Sequence, residues 1–263
     1  MASWRTGYAS AVGTSHIATG VPCQDASGCV VITEPDGSGI LIAAVSDGAG
    51  SAAHSEKGSR KTVDRFLADF GCLVVKDPSL ATLDEPAVMS WLRDLHRDLA
   101  ESAMAAGHAP SDYACTLLGA VVGPALAVFV QIGDGAIVFR EAGSGNYSWV
   151  FWPQNGEFAN VTNFLTQADF EDAVQIDRTD VPPVELAIFS DGIERLVLDM
   201  ANRSVHAPAL TPIFQWLATT GAPAISNGET PGLLAFLNSD KVNSRTDDDK
   251  SLVVATRVSA EGA

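Results

Sequence analysis

The sequence predicts an α+β protein, because its helical and strand-like patterns are segregated along the chain rather than alternating. Three observations carry this reading. Short apolar runs rich in β-branched residues are bounded by Gly, Pro, Asp or Asn; two amphipathic helical stripes follow the second run; and further helical patterns precede the last one.

The strand-like runs cover residues 28–33, 39–46, 116–122, 125–132, 135–140, 184–190 and 251–257. Gly123-Pro124 separates one pair and Gly133-Asp134-Gly135 another, so residues 116–140 predict an antiparallel meander. Both faces of the runs are largely apolar, which predicts covered sheets. The first cover is SEKGSRKTVDRFLADF, where Val63, Phe66, Leu67 and Phe70 recur at helical spacing and Ser55 suits an N-cap. The second follows Pro86, which suits a first helical position, and carries Met89, Leu92, Leu95, His96 and Leu99 on one side. Weaker helical patterns lie near 207–219 and 229–238, separated by the loop-like GAPAISNG. Residues 142–183 have weak periodicity around Tyr147, Trp149 and Trp152, and read as either a flap or an edge hairpin with a loop. One domain spanning 1–263 is the simplest organisation, without internal repeats.

Acidic residues number 32 against 16 basic ones, a formal net charge of −16, which disfavours extended contact with nucleic acid or anionic lipid. The four cysteines, Cys23, Cys29, Cys72 and Cys115, form no CxxC pair and no zinc-like spacing with His. The N-terminal MASWRTGYAS has no basic segment followed by an apolar stretch, and the longest apolar runs are strand-length. The expectation is a cytoplasmic protein without membrane contact.

Three acidic patterns point to chemistry. ILIAAVSDGAGS ends a strand at Ser46 and delivers Asp47 and Gly48; VELAIFSDGIERL repeats the arrangement at Asp191 and Gly192; TDDDKSLVVATRV places Asp247, Asp248 and Asp249 just before a strand. Carboxylates at buried strand ends repel one another and lose hydration unless a cation sits among them. Oxygen ligands select hard ions such as Mg²⁺ or Mn²⁺, and a Gly after the Asp lets the chain turn sharply and frees a carbonyl. Two such ions sharing one Asp would acidify a water between them enough to attack at neutral pH. Any single Ser-Asp-Gly reads first as a turn, so the joint pattern carries the inference.

With SDGAGS, GDGAIVFRE, IFSDGIERL and DDDKSLVV in this order, and SHIATGVPCQDA before them, the chain resembles the metal-dependent, type 2C Ser/Thr protein phosphatases over nearly its whole length. The resemblance implies a four-layer α-β-β-α sandwich of two antiparallel sheets between helix pairs. It implies hydrolysis of phosphoserine or phosphothreonine in proteins with two Mn²⁺ or Mg²⁺ ions and no phosphoenzyme. Asp47 would bridge the metals, Gly48 would lend its carbonyl, and Asp191 and Asp248 would complete the ligands. Asp248 is chosen because Asp248-Asp249-Lys250-Ser251 fits the family's Asp-Asn-x-Ser/Thr spacing. Asp25 would orient metal-bound water, beside Gln24 where many members have Glu. Asp134 is either the family's third, weaker metal site or a hairpin turn.

The chain departs from the family at GTSHIATG, which places His16 where many members carry the phosphate-binding Arg. His16 is either a donor to the phosphate or leaving group or a loop cap. Arg5 is another source of a guanidinium, and His54 another acid; His96 reads as packing, and His108 and His206 as loop residues. The implied partners are phosphorylated proteins and a cognate Ser/Thr kinase. Two rival readings are a phosphoprotein-binding module that has kept the fold and a small-molecule metallophosphoesterase.

Overall fold

Residues 2–154, 162–219 and 228–259 are described by the computed structural model. The strands are β1 (Ala2–Ala11), β2 (Ala26–Thr33), β3 (Gly39–Ser46), β4 (Leu117–Val122), β5 (Ala127–Ile132), β6 (Ala136–Arg140), β7 (Ser148–Trp149), β8 (Gln175–Thr179), β9 (Glu185–Phe189), β10 (Leu198–Asp199), β11 (Ser204–Val205) and β12 (Lys250–Ser259). The helices are α1 (Thr14–Thr19), α2 (Ser55–Lys76), α3 (Glu85–Ala105), α4 (Phe170–Ala173), α5 (Glu194–Val197), α6 (Ala207–Thr219), α7 (Pro231–Leu237) and α8 (Asp240–Asn243). One antiparallel sheet has the order β1-β12-β9-β6-β7 and the other β2-β3-β4-β5-β8.

Side-chain alternation in β3 shows why the sheets stack. Leu41, Ala43 and Val45 join Trp4, Phe129, Ile188 and Val253 between the sheets, while Ile40, Ile42 and Ala44 face α2 and α3. On that outer face α2 buries Val63, Phe66 and Phe70, and α3 buries Leu92, Leu95 and Leu99. On the other, Leu210, Phe214 and Leu217 of α6 and Leu233 and Leu237 of α7 cover Phe189, Leu252 and Val254. Each fully buried Leu or Phe contributes roughly 1.5–3 kcal/mol of transfer free energy. The result is the expected α-β-β-α arrangement.

Four local expectations change. The meander across 116–140 is broken: β4 and β5 form a hairpin, but β5 and β6 belong to different sheets. Gly133, at φ 119°, and Asp134 therefore carry the chain between sheets rather than around a hairpin. Ser55 is the first residue of α2, not its cap; His54 occupies that place without a side-chain cap bond. Asp84 caps α3 by accepting from the Ala87 N–H at 2.9 Å, so Pro86 is the second helical residue. The stretch 142–183 supplies an edge strand to each sheet, β7 and β8. Residues 155–161 of it, and 220–227 around GAPAISNG, lie outside the described residues.

Candidate metal centre

Antiparallel pairing collects the acidic motifs at one end of the sandwich. Ala26 pairs with Ser46, so Asp25 just before β2 lies beside Asp47 just after β3. Phe189 pairs with Leu252 and with Ala136, which brings Asp191 next to the residues preceding β12 and β6. Carboxylate oxygens of Asp47, Asp134 and Asp191 consequently lie within 4.8 Å of one another. These three side chains come from points 87 and 57 residues apart.

Asp47, Asp25 and Asp134 are held from behind. The Asp47 N–H donates to Thr116 Oγ1 at 2.9 Å and its carbonyl accepts from the Thr116 N–H at 2.8 Å. Gly48 approaches so close to the Gln24 carbonyl and to Ser55 that a Cβ has no room; its role rests on that contact and not on a positive φ. Ser190 accepts from the Ser251 N–H at 2.9 Å and donates to Asp25 Oδ2 at 2.7 Å, tying β9, β12 and β2 together at the site. Thr162 donates to Asp134 Oδ2.

The electrostatics of the cluster are those of crowded, buried carboxylates. Burial raises the Asp47 pKa well above the usual carboxylate range, and the charges of Asp25, Asp191 and Asp134 add to it. Asp25 is 3% exposed; burial pushes it up to about 8, against the opposing Ser190 hydrogen bond. Asp191 is pushed up to about 6 by burial and by Asp134. Glu194, one turn beyond, rises to about 7 from burial and then from Asp191 and Asp134. Among the described residues no Lys or Arg forms an ion pair with any of them. Asp25 Oδ1 and Asp191 Oδ1 are buried without a hydrogen-bond partner. Orphaned, mutually repelling oxygen donors of this kind fit hard divalent cations such as Mg²⁺ or Mn²⁺.

The last acidic run divides by burial. Asp248 is exposed and lines a cleft of about 670 Å³ with Asp134, Asp191 and Glu194. Asp249 is 3% exposed and turned inward, where its two oxygens accept from the Gly13 and Gln24 N–H groups at 2.6 Å each. His16 Nδ1 stands 3.0 Å from Asp249 Oδ1, without hydrogen-bond alignment. His16 lies on α1 rather than on a loop, and Asp249 staples Gly13, the residue before that helix, to the strand end that carries Asp25.

The other basic candidates are engaged elsewhere. Arg5 donates to the Ala218 carbonyl in α6. His54 stacks on His108 with centroids 3.8 Å apart, and His96 stacks on Phe170 at 4.7 Å. The sequence assigns no role to Ser190, Thr162 or Glu194, and it names Asp249 only as a member of the acidic run, without its hold on Gly13 and Gln24. Only the adjacency of Ser190 and Glu194 to Asp191 in SDGIERL signals any of them.

Comparison with known proteins agrees with this geometry. The profile of the family described as "Protein phosphatase 2C" matches residues 12–228. The chain is 38% identical over 254 residues to "Serine/threonine-protein phosphatase 3" of Escherichia coli (strain K12), covering 96% of this chain and 98% of that protein. Its fold is similar to a crystal structure of a bacterial serine phosphatase, with a TM-score of 0.60, 14% identity and coverage of 95% and 96%. It is also similar to that of the serine/threonine phosphatase Stp1 from Staphylococcus aureus, with a TM-score of 0.59, 13% identity and coverage of 95% and 94%. The profile match and the E. coli relative both span most of the chain, and the chain belongs to the protein phosphatase 2C family.

Proposed function

We propose that this protein hydrolyses phosphoserine and phosphothreonine in proteins, using two Mn²⁺ or Mg²⁺ ions held by Asp47, Asp191, Asp248 and the Gly48 carbonyl, with Asp134 contributing to a third, weaker site. The observation that carries it is the convergence of Asp47, Asp134 and Asp191 from three separate strand ends onto one point. Bound cations would neutralise these carboxylates, acidify a water they share and take up charge on the phosphoryl oxygens. The chain's own groups do the rest. Asp25, fixed at Oδ2 by Ser190, keeps Oδ1 without a partner and so can orient the attacking water. Asp248 is the ligand of its run because Asp249 already spends both oxygens on backbone N–H groups.

The partners are phosphoproteins and a cognate Ser/Thr kinase, and the site of action is the cytoplasm. Among the described residues no helix is long and apolar enough to cross a membrane. The deciding assay is release of phosphate from phosphoserine and phosphothreonine peptides with and without Mn²⁺. Turnover is expected only with the metal, and turnover that survives EDTA overturns the reading.

His16 is assigned to the leaving group. With Nδ1 beside Asp249, its Nε2 remains to protonate the departing seryl or threonyl oxygen. His16→Ala is expected to lower kcat on a phosphoserine peptide by about a hundredfold, the low end for general acids. p-Nitrophenyl phosphate, whose leaving group needs no proton, should lose far less. An equal loss on both substrates would instead mark His16 as a phosphate ligand or as a structural support of α1.

A further inference from the structure

Beside the acidic cleft lies a second cavity of about 720 Å³, formed between α6, α7, α8 and the α5–β10 segment. The two share a wall made by Arg195, Leu196 and Arg245. Beyond that wall the groove is floored by half-buried Ile213, Trp216 and Phe236. Its volume falls within the range of ligand-binding clefts and gives room for a few side chains.

The charge around this groove runs against the rest of the molecule. In a chain of net charge −16, Arg195, Lys241 and Arg245 border the groove, and all three are exposed. Elsewhere among the described residues Lys61, Arg65, Arg93, Arg97 and Arg140 are each paired with a carboxylate, while Lys57, Arg60, Lys76, Arg178 and Arg203 are not, so the groove is marked by three unpaired cations gathered along one apolar cleft. Among the described residues these three groove cations form no ion pair, and Asp199 is the one acid in the lining.

We propose that the groove receives the acidic and apolar segment of a phosphoprotein that adjoins its phosphorylated residue. The inference rests on the phosphatase reading and adds a substrate class to it. A phosphate in the cleft places the neighbouring substrate residues at the shared wall. Apolar side chains then fill the floor and carboxylates meet Arg195, Lys241 and Arg245. Unpaired cations in an acidic protein attract such a segment and repel basic ones, which is specificity by charge complementarity.

The test uses the Mn²⁺-loaded full chain and two phosphothreonine peptides of equal length, one flanked by Glu, Leu and Phe and one by Lys and Gly. p-Nitrophenyl phosphate, too small to reach the groove, is the reference. The acidic–apolar peptide is expected to show a KM lower by about tenfold, the value of one buried apolar side chain. Ile213→Glu and Lys241→Glu should each erase that preference and leave kcat/KM on p-nitrophenyl phosphate unchanged. Lys241 is exposed, so its variant decides the question if Ile213→Glu fails to fold.

Equal KM values for the two peptides, or a preference that Lys241→Glu retains, overturn the proposal and leave the phosphatase reading standing. A dimer in sedimentation that Ile213→Glu dissociates, with peptide KM unchanged, assigns the groove to a second copy and also overturns it. Failure to turn over either peptide while p-nitrophenyl phosphate is cleaved overturns both readings.

Discussion

Asp47→Asn is expected to lower phosphopeptide turnover by about a thousandfold or more, since changes one shell outside a metal ligand already cost about 10–100-fold. Asp47 stands at the centre of the cluster: its carboxyl group feels Asp25, Asp191 and Asp134 together. Asn keeps the size and one oxygen but removes the charge that would hold a cation between two sites. The scaffold should survive, because Asp47 is fixed through its backbone to Thr116 and neither bond uses the carboxylate. The variant should therefore melt cooperatively while binding Mn²⁺ weakly in calorimetry. Wild-type turnover in Asp47→Asn would remove this residue from the mechanism. Loss of activity with Mn²⁺ affinity unchanged would move its role from binding to chemistry.

The parts of this site that were legible in the sequence share one property. Asp47 and Asp191 each follow an apolar run and precede Gly, so burial, strand end and turn are all written locally. What stayed hidden depends on residues far away in the chain. Asp248 and Asp249 are adjacent and chemically identical. The difference between them is set by the N–H groups of Gly13 and Gln24, which are 236 and 225 residues from Asp249. The passage from β5 to β6 is hidden for the same reason: Gly133-Asp134-Gly135 has the composition of a hairpin turn, and nothing local reveals that β6 pairs with β9. β1 carries no strand pattern of its own because residues such as Ser3, Arg5, Thr6 and Ser10 interrupt its apolar character; its ten-residue ladder with β12 makes it a strand. The layers were readable because Val63, Phe66 and Phe70, and Leu92, Leu95 and Leu99, announce buried helix faces without help from other elements.

Metal removal should expose the strain that the acidic cluster stores, and should do so in a pH-dependent way. In the metal-free chain burial and the neighbouring carboxylates push Asp25 up to about 8 and Asp191 up to about 6, both above the ordinary 3.8. The folded state thus holds protons that the unfolded state has released, so the contribution of these groups to stability is full below about pH 4 and is lost as pH rises to 8. Carboxylates lowered by partners, such as Glu185 beside Arg140, change at more acid pH and leave this window clear. His108, lowered by burial and by His54, acts in the opposite sense as pH falls through its range. Asp25→Asn separates the two effects: without metal it should be more stable than the wild type at pH 8 and indistinguishable from it near pH 4. Mn²⁺ replaces the lost protons, and at a hundred times its Kd should raise the wild-type melting temperature by about 5 °C or more. That shift should grow from pH 5 to pH 8, because protons and cations compete for the same oxygens. A metal-free protein that gains stability between pH 5 and 8, with Asp25→Asn following the same curve, would show that these carboxylates do not repel one another in the fold.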